Sequence, residues 1–131
     1  MDILRVSTIQ TNIKWESIDA NLETLNPKIQ ALKDKTDIII LPEMFSTGFT
    51  NNRTVLAEAP TGKTFQWMYK HATDTGAVIT GSYIIKENNK YYNRLIWMQP
   101  NGKFGLYNKR YLFTKAKESM TFMSEVQKEY W

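Results

Sequence analysis

The chain has 131 residues, which is the length of one domain or of a piece of one. A hydrophobic content of 42% and an aromatic content of 13% favour a folded globular protein over a disordered one. The formal net charge of +4 is spread along the chain without a tight basic run, so we do not expect nucleic acid as a partner.

The chain contains no cysteine and a single histidine, His71. Disulfides, thiolate metal sites and multi-histidine metal sites within one chain are therefore excluded. The longest apolar stretch, around Ile38 to Leu41, is far too short to span a membrane. The first residues show no signal-peptide pattern, so we expect a cytoplasmic protein that has no membrane partner.

The first 41 residues predict a strand–helix–strand unit. Residues Ile3 to Gln10 alternate between apolar and polar, as a strand does. Apolar residues then recur at spacings of three or four, which is typical of an amphipathic helix lying on a sheet: Trp15, Ile18, Leu22, Leu25, Ile29 and Leu32. The β-branched run that starts at Asp37 and ends at Leu41 predicts a buried parallel strand.

A second helix is predicted from Lys63 to Thr75, with Gly76 placed as its C-terminal cap. Its inner face should carry Phe65, Met68 and Ala72. His71 lies on the same helix, where we expect a surface or half-buried residue without a chemical role.

Three strands follow this helix, from Ala77 to Ile85, from Tyr91 to Met98 and from Phe104 to Lys109. Turn-forming residues separate them at 87–90 and at 99–103, and the second turn contains an Asn-Gly pair. The predicted order is therefore βαβ, then αβ, then an antiparallel meander. This order is typical of the α/β class.

Two strand ends carry residues that could form a catalytic site. Pro42 cannot donate to a sheet ladder, so it should end its strand and place Glu43 at the carboxyl edge, where ligands bind in open α/β sheets. Lys109 ends the last predicted strand. Plainer interpretations stay open, since Pro42-Glu43 could simply begin a helical turn and Lys109 could be a solvated lysine.

The residues around these two positions resemble motifs of the carbon–nitrogen hydrolase (nitrilase) superfamily. The first segment is Leu41-Pro42-Glu43-Met44-Phe45-Ser46-Thr47-Gly48-Phe49, and the second is Tyr107-Asn108-Lys109-Arg110-Tyr111-Leu112-Phe113. Both are most similar to the ω-amidase branch, which acts on amides of the 2-oxoglutaramate type. The resemblance covers residues 3–116 and implies the amino-terminal half of a four-layer αββα sandwich.

The resemblance also implies a role for each of several residues. Glu43 would be the general base, and Lys109 would stabilise the tetrahedral intermediate. Phe45, Thr47 and Phe49 would lie near the pocket of a small amide substrate. No metal and no cofactor is implied.

One departure from the family pattern affects the expected activity. The third member of the family's triad is a cysteine on a later strand, and this sequence contains none. Serine or threonine could not replace it without further activation. We therefore expect a truncated hydrolase with no amidase turnover from this chain alone; the alternative is a non-catalytic small-molecule-binding or scaffold protein that retains the amide pocket.

The last residues form an atypical tail. We assign residues 1–116 to a partial hydrolase domain and residues 117–131 to this tail, because the family carries a Gly-Glu-His context where this chain has Ala116-Lys117-Glu118-Ser119-Met120. A frame shifted by two bases, with suitable synonymous codons, would encode Gly-Glu-His, which is our hypothesis for the tail's origin. The rival is a genuinely short protein whose residues 115–129 form a helix.

Half of a sandwich should expose strand edges and apolar patches. Such surfaces pair with other chains unless they are covered. The sequence therefore predicts a chain that is marginally stable or self-associating.

Overall fold

A computed structural model of the chain describes residues 2–110. The elements are, in chain order, β1 (Val6–Thr8), α1 (Ile18–Gln30), β2 (Ile38–Ile40), α2 (Arg53–Leu56), α3 (Lys63–Thr75), β3 (Val78–Glu87), β4 (Lys90–Met98) and β5 (Phe104–Asn108). None of the helices in this range is both long and apolar enough to cross a bilayer. The tail at 117–131 and the helix predicted for 115–129 lie outside the described residues.

The five strands form one mixed sheet in the order β1-β2-β3-β4-β5. β1, β2 and β3 pair in parallel, and α1 and α3 lie in the two crossovers between them. β3, β4 and β5 pair antiparallel through two short turns. The predicted order of βαβ, αβ and meander is confirmed, and so is the α/β class.

One face of the sheet is covered by α1 and α3 and holds the main core. Side chains alternate between the two faces of a strand, and the residues on this face join helix residues in one buried cluster, which includes Leu25, Ile29, Ile39, Met68, Ala72, Ile79, Tyr83, Ile96 and Met98. Burial of apolar surface away from water in this layer is the main favourable contribution to folding. Phe65, Met68 and Ala72 lie on the inner face of α3, as predicted.

The other face of the sheet is here called the open face, and is defined by Ile40, Thr80, Leu95, Trp97 and Tyr107. It is covered at one end, where Leu56 of α2 and Met44 pack against Ile84. Elsewhere it carries a cavity of about 810 Å³ whose walls include Thr80, Leu95 and Trp97. Ile40 is 38% exposed there. Leu95, Trp97 and Tyr107 are partly exposed and Thr80 is buried. Within residues 2–110, the open face is therefore largely apolar and partly accessible to solvent.

Two local predictions were wrong. His71 is 3% exposed, not half-buried, because its ring packs against Trp67 with centroids 4.7 Å apart and its Nε2 binds Asn26. Trp15 is 63% exposed and precedes the helix, because Glu16 has a φ of 53°, which a right-handed helix excludes. The short helix α2 was not predicted.

Candidate active site

Glu43 lies at the carboxyl end of β2, where the parallel pairing stops. The Leu41 N–H still donates to the Thr80 carbonyl at 2.8 Å, so the ladder continues one residue past the strand. Pro42 has no N–H to continue it. The next side chain, Glu43, therefore points away from the ladder into the space above the sheet edge, as the sequence predicted.

Ser82 of β3 holds the chain directly after Glu43. Its hydroxyl oxygen accepts from the Met44 N–H at 2.9 Å, and its carbonyl accepts from the Phe45 N–H at 3.2 Å. Met44 has a φ of 51°, a left-handed conformation that costs a non-glycine residue free energy. Two hydrogen bonds from one residue of the sheet stabilise this turn and fix the direction in which Glu43 leaves it.

Lys109 reaches Glu43 from the carboxyl end of β5, at the same edge of the sheet. The Lys109 N–H donates to the Asn93 carbonyl at 2.9 Å, which extends the β4–β5 pairing by one residue beyond β5. Its ammonium Nζ lies 2.7 Å from Glu43 Oε1, and the ring centroid of Phe49 is 5.2 Å from the same Nζ. The side chains of Lys109 and Glu43 are 26% and 49% exposed, so a small molecule can reach both.

The ion pair forms part of the wall of a cavity of about 330 Å³. The lining residues are Leu41, Glu43, Gly81, Ser82, Asn93, Leu95, Tyr107 and Lys109. Apolar walls with a few convergent polar groups are typical of small-molecule sites. A carboxylate in this position can take up a proton. The fixed ammonium beside it can offset negative charge that develops on a bound molecule. Within residues 2–110, no three carboxylate or imidazole groups converge as metal ligands would.

The three residues predicted to bind substrate occupy different environments. Phe45 is fully buried behind the pocket wall, so that a Cβ on Gly81 would come within 2.8 Å of its ring. Thr47 is also buried, and its hydroxyl donates to the Gly48 carbonyl at 2.9 Å. Phe49 is 37% exposed and is the one of the three that contacts the ion pair. Their role in substrate binding stays a prediction.

Asn93 is a site residue that the sequence reasoning missed. It is 2% exposed, and its Nδ2 donates to Glu43 Oε1 at 2.9 Å. Asparagine is depleted in strands, so an asparagine in the middle of β4 was a signal that could have marked it.

A family model, described as carbon–nitrogen hydrolase, matches residues 5–129 of the chain. The omega-amidase YafV of Yersinia enterocolitica is 31% identical over 124 residues, which are 95% of this chain and 48% of that protein. A 2-oxoglutaramate amidase of Bacillus subtilis (strain 168) is 25% identical, with 88% of this chain and 46% of that protein covered. The chain thus spans about half the length of the curated relatives it matches.

The fold of this chain is also similar to that of a solved structure. A CN-hydrolase superfamily protein from Xanthomonas campestris superposes with a TM-score of 0.93 at 32% identity, covering 97% of this chain and 48% of that one. The alternation of strands and helices described above is therefore shared with a superfamily member over nearly all of this chain. The predicted nitrilase-type α/β fold is confirmed.

Proposed function

The chain belongs to the carbon–nitrogen hydrolase family, and on that basis we propose that it carries the acid–lysine part of an ω-amidase-type site. The reaction is hydrolysis of the amide of a 2-oxo dicarboxylate to the carboxylate and ammonia. The observation that carries this proposal is the 2.7 Å contact between Glu43 and Lys109, which lie 66 residues apart in the two resembling motifs. The names of the omega-amidase and 2-oxoglutaramate amidase relatives support the substrate class.

Glu43 and Lys109 have separate roles in this proposal. Glu43 takes the proton of a thiol, and the resulting thiolate attacks the amide carbon. Lys109 stabilises the negative charge that develops on the carbonyl oxygen. The C–N bond then breaks, the protonated Glu43 returns its proton to the leaving nitrogen as ammonia departs, and water cleaves the thioester that remains.

The thiol in this scheme is not supplied by these 131 residues, since they contain no cysteine. We therefore expect the chain by itself to bind the amide without turning it over. Phe49 would border the bound substrate beside Lys109, while Phe45 and Thr47 would support the pocket from below. A cytoplasmic location stays a prediction that cell fractionation would test.

The proposal is tested by titrating the chain with 2-oxoglutaramate in a calorimeter and by assaying ammonia release. We expect saturable binding, no ammonia release, and an affinity about tenfold weaker for Glu43→Gln, as loss of one charge-assisted contact implies. Glu23→Gln is the matched control, because Glu23 is exposed on α1, on the helix-covered side of the molecule. An affinity that Glu43→Gln leaves unchanged would contradict the proposed site.

A second candidate is a small-molecule-binding or scaffold protein. It would use the same pocket but catalyse no reaction, even when another protein supplies a cysteine. The observation that favours it is the pocket itself, which residues 2–110 form without a nucleophile from elsewhere. The two candidates separate when the chain is mixed with a protein or segment that supplies a cysteine beside the pocket. Ammonia release that disappears in Glu43→Gln would support the hydrolase, and binding that persists without release would support the binding protein.

A further inference from the structure

Asn93 contacts both members of the ion pair. Its side-chain Nδ2 donates to Glu43 Oε1 at 2.9 Å, and its backbone carbonyl accepts from the Lys109 N–H at 2.9 Å. At 2% exposure, it is far less accessible than the two charged side chains it touches. One buried residue therefore fixes the position of the acid through its side chain and that of the lysine through its backbone.

The two oxygens of the Glu43 carboxylate are not equivalent. Oε1 accepts from Lys109 Nζ at 2.7 Å and from Asn93 Nδ2 at 2.9 Å. Oε2 accepts no hydrogen bond from any residue in the described range of the chain. An oxygen that already accepts two hydrogen bonds, one of them from an ammonium, is the weaker proton acceptor, because donors stabilise the charged form.

We propose that Asn93 is a positioning residue that, together with Lys109, holds Oε1 and thereby presents Oε2 as the atom that takes up the proton. The inference rests on the proposed function for the identity of that proton, which is the thiol proton of the nucleophile. It does not rest on that function for the geometry. Rotation of the carboxylate would exchange the two oxygens, and Asn93 opposes this rotation because it adds a second fixed donor on one side.

A hydrogen bond on the opposite face of the sheet stabilises β4, the strand that carries Asn93. The neighbouring Arg94 is 4% exposed, and its Nε donates to Asn108 Oδ1 at 2.7 Å. Asn108 precedes Lys109 and lies opposite Arg94 in the β4–β5 register. Contacts on both faces of the sheet therefore fix the spacing between β4 and the end of β5, so Asn93 acts from a rigid position.

The test compares the chain with its Asn93→Ala and Asn93→Asp variants, using two readouts that need no substrate. The first is the rate at which an amine-reactive reagent labels Lys109, which mass spectrometry measures. The exposed Lys90 and Lys103 are the internal controls. The second is the ¹³C chemical shift of the Glu43 carboxylate, assigned by comparison with Glu43→Gln. Gln66→Ala is the matched control, since it removes an exposed side-chain amide on α3.

In Asn93→Ala, labelling of Lys109 should rise about threefold, as loss of one hydrogen bond in the network allows, while Lys90 and Lys103 keep their rates. The Glu43 signal should move towards that of an exposed glutamate in both variants. Asn93→Asp keeps the side-chain volume, so it reads the position of Glu43 even if the alanine variant folds poorly. A Glu43 signal and a Lys109 rate that equal those of the parent chain would overturn the inference.

Failure of the proposed function would look different. In that case Glu43→Gln would bind 2-oxoglutaramate as well as the parent chain does, whatever the two substrate-free readouts show. The positioning role of Asn93 and the identity of the ligand are therefore judged by separate measurements.

Discussion

Glu43 owes its orientation to the residue after it. Met44 adopts a φ of 51°, and the Ser82 hydroxyl binds its N–H. Strained backbone of this kind persists only where the surroundings enforce it, and it concentrates at functional sites. The sequence predicted the end of the strand from Pro42, since that effect is local. It could not predict the contribution of Ser82, which lies 38 residues after Met44.

His71 has a defined hydrogen-bond arrangement inside the molecule. Asn26 Oδ1 accepts from both the Trp67 Nε1–H and the His71 Nε2–H, each at 2.8 Å. The other ring nitrogen, Nδ1, faces the Gln30 amide nitrogen at 3.4 Å, which donates to it in the neutral ring. Burial lowers the pKa of His71 from its ordinary value, with a smaller contribution from Lys70 in the same direction.

This environment gives stability a pH dependence with a definite sign. The unfolded chain takes up the His71 proton near pH 6.5, before the folded chain does. The free energy of unfolding should therefore be constant above about pH 7 and should fall as the pH drops through 6.5, with a slope of at most about 1.4 kcal/mol per pH unit. Urea unfolding between pH 5.5 and 7.5 measures it.

His71→Gln is the control for that series, because the chain has no other histidine. The variant should be less stable at pH 7.5, since a buried group has been replaced, but its stability should change little down to pH 5.5. The same slope in the variant would assign the effect to another group.

At the scale of elements, the β3–β4 hairpin sets the register that brings Asn93 to the site. Its two-residue turn, Asn88-Asn89, has φ values of 52° and 62° and joins the paired residues Glu87 and Lys90. Two consecutive positive φ angles define the turn type that matches the twist of a hairpin. A slip of one residue would turn Asn93 to the helix-covered face, away from Glu43.

Substitutions at Asn89 should show the importance of this turn. Asn89→Gly should leave the free energy of unfolding unchanged or slightly raised, because glycine adopts positive φ without steric cost. Asn89→Val should lower it by about 1–2 kcal/mol, the cost of the left-handed conformation for an ordinary residue. Urea unfolding of both variants tests this, and equal stability of the two would contradict the role given to the turn.

The elements also show which signals in the sequence were reliable. The helix predicted from Lys63 to Thr75 is observed with those ends, since Gly76 adopts the left-handed cap conformation with a φ of 72°. The first helix begins only at Ile18 although the apolar spacing starts at Trp15. Periodicity reports which residues share a face, whereas the start of this helix depends on the backbone of Glu16 and its contact with Thr47.

At the scale of the whole molecule, the two sheet faces differ in what covers them. α1 and α3 bury one face, whereas the open face carries cavities of about 330 and 810 Å³ that share Leu95. Apolar surface of this kind marks a site of interaction. We therefore propose that the self-association predicted from the sequence takes place at the open face. The expected partner is a second copy of the chain.

Light scattering over a range of concentrations tests the proposal. The mass of the parent chain should rise above that of a monomer of 15.3 kDa, and Ile40→Lys should reduce the rise because it places a charge on the open face. Tyr69→Lys is the matched control, since Tyr69 is 43% exposed on α3. A parent chain that stays monomeric at all concentrations, or an equal effect of both variants, would contradict it.

The order of the strands has a consequence for the way the chain is synthesised. Each strand pairs with the strands that precede and follow it in sequence. These five strands can therefore assemble by edge addition as the chain leaves the ribosome, because none of the strands within residues 2–110 has to insert between two earlier ones. β5 is the last strand within residues 2–110, and Lys109 directly follows it. The ion pair between Glu43 and Lys109 should then form only after the other four strands of this range are in place.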